Sequence, residues 1–243
     1  MNKTSDGVKT SKKELVNIPQ HIGFIVDGNR RWARKYGLPI NYGHKRGYDK
    51  VKKVMDWSLK RGVKVLSFYI FSTENWGRDK GEISHLMNLI KRFFKQDLKY
   101  FTKNEIKLLI SGRIDDPRLS TEIRKIAKIA QEKTKNNKKG IVNLAFNYSG
   151  RSEIIQAIKR IVKEKIEISA IKEDLLNGYL WASGLPDPDL IVRTSEKRLS
   201  GFLLWQSAYS ELCFIDKYWP SIAEKDIDSI LADYSQRKRR FGK

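Results

Sequence analysis

Five short apolar runs, separated by long amphipathic stretches, constrain this chain more than any other feature of its sequence. The runs at 21–26, 64–71, 105–110, 141–146 and 190–193 are strand-sized and rich in β-branched and aromatic residues. The stretches 47–60, 82–101, 118–135 and 151–163 carry apolar residues at helical spacing, and a last helix is predicted over 222–239. In the second stretch Ile83, Leu86, Met87, Ile90, Phe93, Phe94 and Leu98 recur at offsets of three and four, which makes a greasy face on a charged helix. Strands alternating with helices predict an α/β fold: a single domain with a mostly parallel central sheet flanked by helices. Right-handed crossovers then place the loops that follow each strand along one edge of the sheet, where ligands sit in such folds. The 243 residues suit one core, with no internal repeat or low-complexity linker. Residues 1–17 are polar and basic and predict a flexible tail, leaving 18–243 as the domain.

Composition narrows the class. Hydrophobic residues make up 40% of the chain, enough to bury a sizeable core. The longest apolar run, 65–71, falls far short of the roughly 20 residues that a membrane-spanning helix needs. The Lys- and Ser-rich start has no apolar segment and predicts no secretory signal. The single cysteine, Cys213, excludes an intramolecular disulfide and a cysteine-built zinc site, so a cytoplasmic protein is expected. Lys and Arg number 49 against 28 Asp and Glu, a net charge of +21. Nucleic acid, an anionic membrane surface and a phosphorylated substrate all fit that charge. The basic run 124–139 reads as the solvated face and end of a helix. No RNA-recognition aromatic signature, zinc-finger pattern or basic-helix module is present, so no nucleic-acid partner is expected.

Three polar clusters follow strands. The first strand runs into Asp27-Gly28-Asn29-Arg30-Arg31-Trp32. Gly28 lets backbone approach an anion, amides that open the next helix point at it, and the arginines add charge-assisted donors. The same residues fit a plain strand-to-helix turn with Asp27 as N-cap. After the second strand come Ser72-Thr73-Glu74-Asn75-Trp76-Gly77-Arg78, and between the two clusters His44 opens a helix beside basic residues. The third cluster, Arg193-Thr194-Ser195-Glu196-Lys197-Arg198-Leu199-Ser200, sets two arginines five apart with hydroxyls between them, a fork for a second diphosphate.

Together these motifs resemble the cis-prenyltransferase family of the undecaprenyl diphosphate synthase type. The resemblance runs from 21–33 through Gly43-His44-Lys45-Arg46-Gly47, 71–76, Arg78 and Glu82. It continues through 143–151, 189–195, 202–206 and 209–212 to the terminal Arg239-Arg240-Phe241-Gly242. It implies an enzyme that condenses an allylic prenyl diphosphate with isopentenyl diphosphate, with an apolar tunnel beside the sheet for the growing chain. Leu86, Met87, Ile90, Phe93 and Phe94 offer a wall for that tunnel or serve as ordinary core. By the same resemblance, Asp27 organises Mg²⁺ and the leaving diphosphate, which Gly28, Asn29, Arg30, Arg31 and Trp32 surround, with His44 close by. Asn75 assists proton removal, while Ser72, Thr73, Glu74, Trp76 and Arg78 position the reacting ends. Arg193, Arg198, Leu199 and Ser200 bind isopentenyl diphosphate, and Glu211 adds a carboxylate to the metal. Arg240 reaches the partner's site in a homodimer, and peripheral contact with an anionic membrane is compatible with the charge. The sequence departs from the family pattern at three places. Ile40 stands where an arginine is usual, Glu196 follows Ser195 without the usual glycine, and Gly201 replaces an asparagine.

Overall fold

The computed structural model describes residues 17–238. Arg240 and nearly all of the basic tail at 1–17 therefore lie outside the described residues. Six strands, β1 (His21–Ile25), β2 (Val65–Ser72), β3 (Ile106–Ser111), β4 (Gly140–Tyr148), β5 (Leu190–Thr194) and β6 (Glu211–Ile215), form one sheet in the order β3-β4-β2-β1-β5-β6. Every pairing is parallel, with Phe24 of β1 level with Phe68 of β2 and Val192 of β5.

Side chains two apart share a face. On one face Ile22, Phe24, Leu66, Phe68, Val142 and Leu144 join the main core. They meet α2 (Ile40–Lys60) through Val54 and Met55, α3 (Lys80–Gln96) through Ile90, Phe93 and Phe94, and α8 (Glu224–Gln236) through Ile227 and Leu231. On the other face Ile25, Tyr69, Ala145 and Ile191 pack against Phe202, Leu203 and Ala182 in a smaller cluster beside α6 (Gly150–Lys163). The remaining helices are α1 (Asn29–Lys35), α4 (Leu98–Lys103), α5 (Thr121–Thr134) and α7 (Glu173–Tyr179). No helix is long and apolar enough to cross a membrane among the described residues.

The five expected strands are present, and β6 is added to them. The helix expected to open at Gly47 starts at Ile40, so His44 lies inside α2 and is buried. The glycines at 43 and 47 there serve a close crossing. A Cβ on Gly43 would stand 2.3 Å from the Asn29 carbonyl oxygen, and one on Gly47 would stand 2.2 Å from Asn29 Oδ1. The stretch expected as one helix over 82–101 divides at Asp97, whose carboxylate takes the Tyr48 hydroxyl and pairs with Lys52.

Candidate active site

The ends of β1, β2 and β5, three neighbours in the sheet, deliver their polar clusters to one edge. Gly28, not Asp27, caps α1, and it does so in a left-handed conformation at φ 97°. Asp27 is thereby free to face inward. Its Oδ1 accepts the Gly28 N–H at 2.6 Å, and its Oδ2 takes Arg193 Nη2 at 2.9 Å and Arg31 Nη2 at 3.1 Å. Thr194 and Trp219 hold the Asp27 backbone. Arg193 is 3% exposed and also reaches Glu196 at 3.1 Å, Ser200 Oγ at 2.6 Å and the Arg198 carbonyl. Glu196 binds Arg31 and Arg198 as well, so one carboxylate bridges three guanidinium groups. Where the glycine is missing, Ser195 itself takes a left-handed conformation at φ 77°.

A second network lies beside it. The buried Glu82 binds His44 Nε2 and Arg78 Nη1 at 3.0 Å each and stands 3.7 Å from Arg30 Nε. Burial holds the His44 pKa below its ordinary value, although Glu82 opposes it. The ring is therefore neutral near pH 7, and its Nε2–H donates. Burial also lowers the Arg78 pKa. Asn75 Oδ1 accepts the Ser72 N–H at 3.1 Å and ties the 3-10 turn Thr73–Gly77 to the end of β2.

These groups rim a cavity of about 650 Å³. Six arginines (30, 31, 34, 78, 193 and 198) line it against three carboxylates, those of Asp27, Glu74 and Glu196. Its inner wall is apolar and includes Val51, Ile70, Phe71, Leu86, Leu89, Ile90, Phe93 and Leu144. Of the five wall candidates, Leu86, Ile90 and Phe93 line the cavity, while Met87 and Phe94 belong to the core. Near the rim, Asn29 Oδ1, packed against Gly47, and Arg193 Nε are buried without a hydrogen-bond partner.

Asp27, Gly28, Asn29, Arg30, Arg31, His44, Ser72, Glu74, Asn75, Arg78, Arg193, Arg198 and Ser200 all line the cavity. Trp32, Thr73, Trp76 and Leu199 lie outside the lining. Trp32 stacks on Tyr42, Trp76 turns to Asn147, and Leu199 packs against the smaller core cluster. Glu211 is displaced further. It opens β6, level with Leu190 and Ile22 at the starts of β5 and β1, and it pairs with Arg237 at 2.8 Å. Ile25, the last residue of β1 before Asp27, lies three residues beyond Ile22, about 10 Å along the strand direction. The two carboxylates of one chain thus occupy opposite edges of the sheet and do not share an ion.

Glu82 and Arg34 carry no role in the sequence reading. An acid in the first turn of a helix reads as a partner for the helix dipole, which hides the Glu82 network. Arg34 stands four residues after Arg30, on the same side of α1. Among the described residues no three His, Cys, Asp or Glu side chains gather as a metal-binding group. The lone carboxylate of Asp27 still fits Mg²⁺, which keeps several waters and binds through one or two carboxylates plus substrate phosphates.

A cationic rim over an apolar cavity defines a protein that takes an amphiphile by its anionic head and houses its tail. The family model described as "Putative undecaprenyl diphosphate synthase" matches residues 25–242. An isoprenyl transferase of Fusobacterium nucleatum is 46% identical over 93% of this chain and 96% of its own. A tritrans,polycis-undecaprenyl-diphosphate synthase (geranylgeranyl-diphosphate specific) of Thermoplasma volcanium is 45% identical over 93% of this chain and 89% of its own. The crystal structure of lavandulyl diphosphate synthase from Lavandula x intermedia, in complex with dimethylallyl diphosphate, superposes with a TM-score of 0.87 at 30% identity, covering 95% of this chain and 100% of that one. The chain belongs to the undecaprenyl diphosphate synthase family and is a prenyltransferase.

Proposed function

We propose that the chain is a cis-prenyltransferase that condenses an allylic starter, farnesyl or geranylgeranyl diphosphate, with successive isopentenyl diphosphates. Its product is a polyprenyl diphosphate such as undecaprenyl diphosphate, the precursor of a glycosyl carrier lipid. The observation that carries this reading is the junction of six arginines with an apolar cavity. Breaking the allylic carbon–oxygen bond sends its electron pair out with pyrophosphate. The isopentenyl double bond attacks the allylic carbon, and loss of a proton restores a double bond in the new unit.

Arg30, Arg31 and Asn29 hold the starter's diphosphate beside Asp27, with the backbone at Gly28 close against it. Arg193, Arg198 and Ser200 hold that of isopentenyl diphosphate. Fixed guanidinium groups stabilise the charge that develops on the leaving group without having to reorganise. Mg²⁺, when bound at Asp27 and the substrate phosphates, supplies further neutralisation of the departing diphosphate. Asn75 assists proton removal, while Ser72, Glu74 and Arg78 set the reacting ends.

Two copies act together in this proposal. Leu212 and Phe214 of β6 are exposed on the sheet face they share with Ile191 and Arg193. On α6, which packs over that same face, Ile155, Ile158 and Val162 form an exposed stripe at offsets of three and four. Apolar surface of this extent on one side supports a homodimer. Peripheral contact with anionic membranes rests on the charge of +21 and predicts salt-sensitive co-sedimentation with anionic liposomes. No sedimentation at low salt would remove that part.

Incubation of purified protein with labelled isopentenyl diphosphate, Mg²⁺ and starters of several lengths tests the function. The expected outcome is a ladder of polyprenyl diphosphates. No chain elongation with any starter would refute the reading. The 45%-identical Thermoplasma relative makes geranylgeranyl diphosphate the first starter to try.

A further inference from the structure

Trp76 points away from the cavity into a closed ring of side chains. Its indole N–H donates to Asn147 Oδ1 at 2.8 Å. Asn147 Nδ2 donates to Asp116 Oδ2 at 3.1 Å and to the Arg113 carbonyl at 2.8 Å. Asp116 takes Arg118 in a two-pronged pair, Nε at 3.0 Å and Nη2 at 2.6 Å. The Arg118 guanidinium closes the ring over the Trp76 face, 4.8 Å from the ring centre. An indole nitrogen only donates and a carboxylate only accepts, so the orientation of the Asn147 amide has one solution.

The ring is built to be rigid. Asn147 is fully buried and left-handed at φ 50°, a conformation asparagine tolerates better than most residues. Asp116 is 1% exposed, and its pairing with Arg118 holds its carboxyl well below the usual range, so it stays charged. The ring joins the turn after β2 to the ends of β4 and β3, two further strands on the same side of the sheet. None of Asp116, Arg118 and Asn147 lines the cavity, whereas Asn75 and Arg78, on either side of Trp76, do.

We propose that Asn147, Asp116 and Arg118 are positioning residues for the reaction: by gripping Trp76 they set the Thr73–Gly77 turn so that Asn75 meets the reacting carbon. This rests on the reading of Asn75 as the residue that assists proton removal. The diphosphates are gripped by α1 and by the loop after β5, which the ring does not touch. Loosening the ring therefore slows the chemical step and leaves substrate binding alone. Misplacement of a catalytic group by about 1 Å costs up to roughly 100-fold in rate.

The test uses Trp76→Phe, which keeps an aromatic ring at the position while removing the indole N–H and trimming the ring, together with Arg118→Ala, whose side chain is half-exposed, and their double variant. Steady-state kinetics are paired with binding of a non-reactive thiolodiphosphate analogue of the starter. Expected for each single variant is a fall in kcat of about 10-fold or more, with analogue Kd and isopentenyl diphosphate KM within about twofold. The double variant falls less than the product of the singles, because both loosen one device. Arg118→Lys, which keeps a cation over the ring, recovers part of the rate. Asn75→Ala, measured alongside, separates the two levels. Its loss of turnover beside native kcat in Trp76→Phe and Arg118→Ala overturns the positioning proposal alone. Native turnover in Asn75→Ala overturns the reading of Asn75 and the proposal with it. A raised KM at unchanged kcat also overturns the proposal, because it places the ring in binding.

Discussion

Asp27 holds the centre of the site through contacts that only a carboxylate makes, with two guanidinium groups on one oxygen and a backbone amide on the other. Asp27→Ala is expected to lower kcat/KM by 100-fold or more, comparable to losing one preorganised electrostatic partner. Arg193 keeps Glu196 and Ser200, so circular dichroism should show an unchanged fold. His21 makes a different kind of prediction. Its Nδ1 meets the Pro186 carbonyl at 2.7 Å and its Nε2 meets Ser67 Oγ at 2.8 Å, both deep in the protein. Burial lowers its pKa from 6.5 to about 4. The unfolded chain takes up a proton below pH 6.5 while the native ring does not, so stability falls as the pH drops from 6.5 towards 4. The full loss is about 3 kcal/mol. Melting curves between pH 4 and 7 should show that slope in the native chain and its attenuation in His21→Gln. At this scale much of the site was legible, because Asp27, Arg30, Arg31, Asn75 and Arg193 stand in short motifs directly after strands. Trp76 was not. It shares a motif with Asn75, but successive residues of a tight turn point in different directions, and motif membership carries no information about direction.

The crossing of α1 over α2 ties local sequence to the proposed site of the starter's diphosphate. Because Gly43 and Gly47 admit Asn29 at contact distance, the turn that carries Asn29, Arg30 and Arg31 rests directly on α2. Gly43→Ala forces a methyl group against the Asn29 carbonyl and is expected to cost about 1–3 kcal/mol, as overpacking does elsewhere. Scanning calorimetry should show the melting temperature falling by several degrees, and starter affinity should weaken with it. The beginning of α2 carries Gly43 and no apolar pattern before Gly47, and glycine disfavours helix, so the sequence pattern does not show that first part. Strand β6 escaped notice for another reason. Its apolar run, Leu212-Cys213-Phe214-Ile215, is short, follows the acid Glu211 and pairs with β5 alone, so pattern does not separate it from a loop. The break at Asp97 lies in contacts with Tyr48 and Lys52 that no local pattern encodes.

For the whole molecule, the alternating pattern sufficed for a parallel sheet with its polar loops on one edge, whereas the net charge of +21 located nothing. The exposed apolar side formed by β6 and α6 carries the quaternary prediction. Phe214→Asp combined with Val162→Asp should shift the protein from dimer to monomer in analytical ultracentrifugation, while a dimer that persists would place the interface elsewhere. Strand order has a further consequence in time. The buried guanidinium that answers Asp27 belongs to a residue 166 positions later, and β1 acquires its second neighbour only when β5 arrives. At common rates of translation that interval is on the order of ten seconds. Until then a nascent chain carries its first headgroup turn with Arg31 beside Asp27 but without the buried Arg193 opposite. A ribosome stalled before residue 190 leaves a polypeptide with much of its core and the Arg30 and Arg31 half of the rim, but without Arg193, Arg198 and Ser200 to grip a second diphosphate.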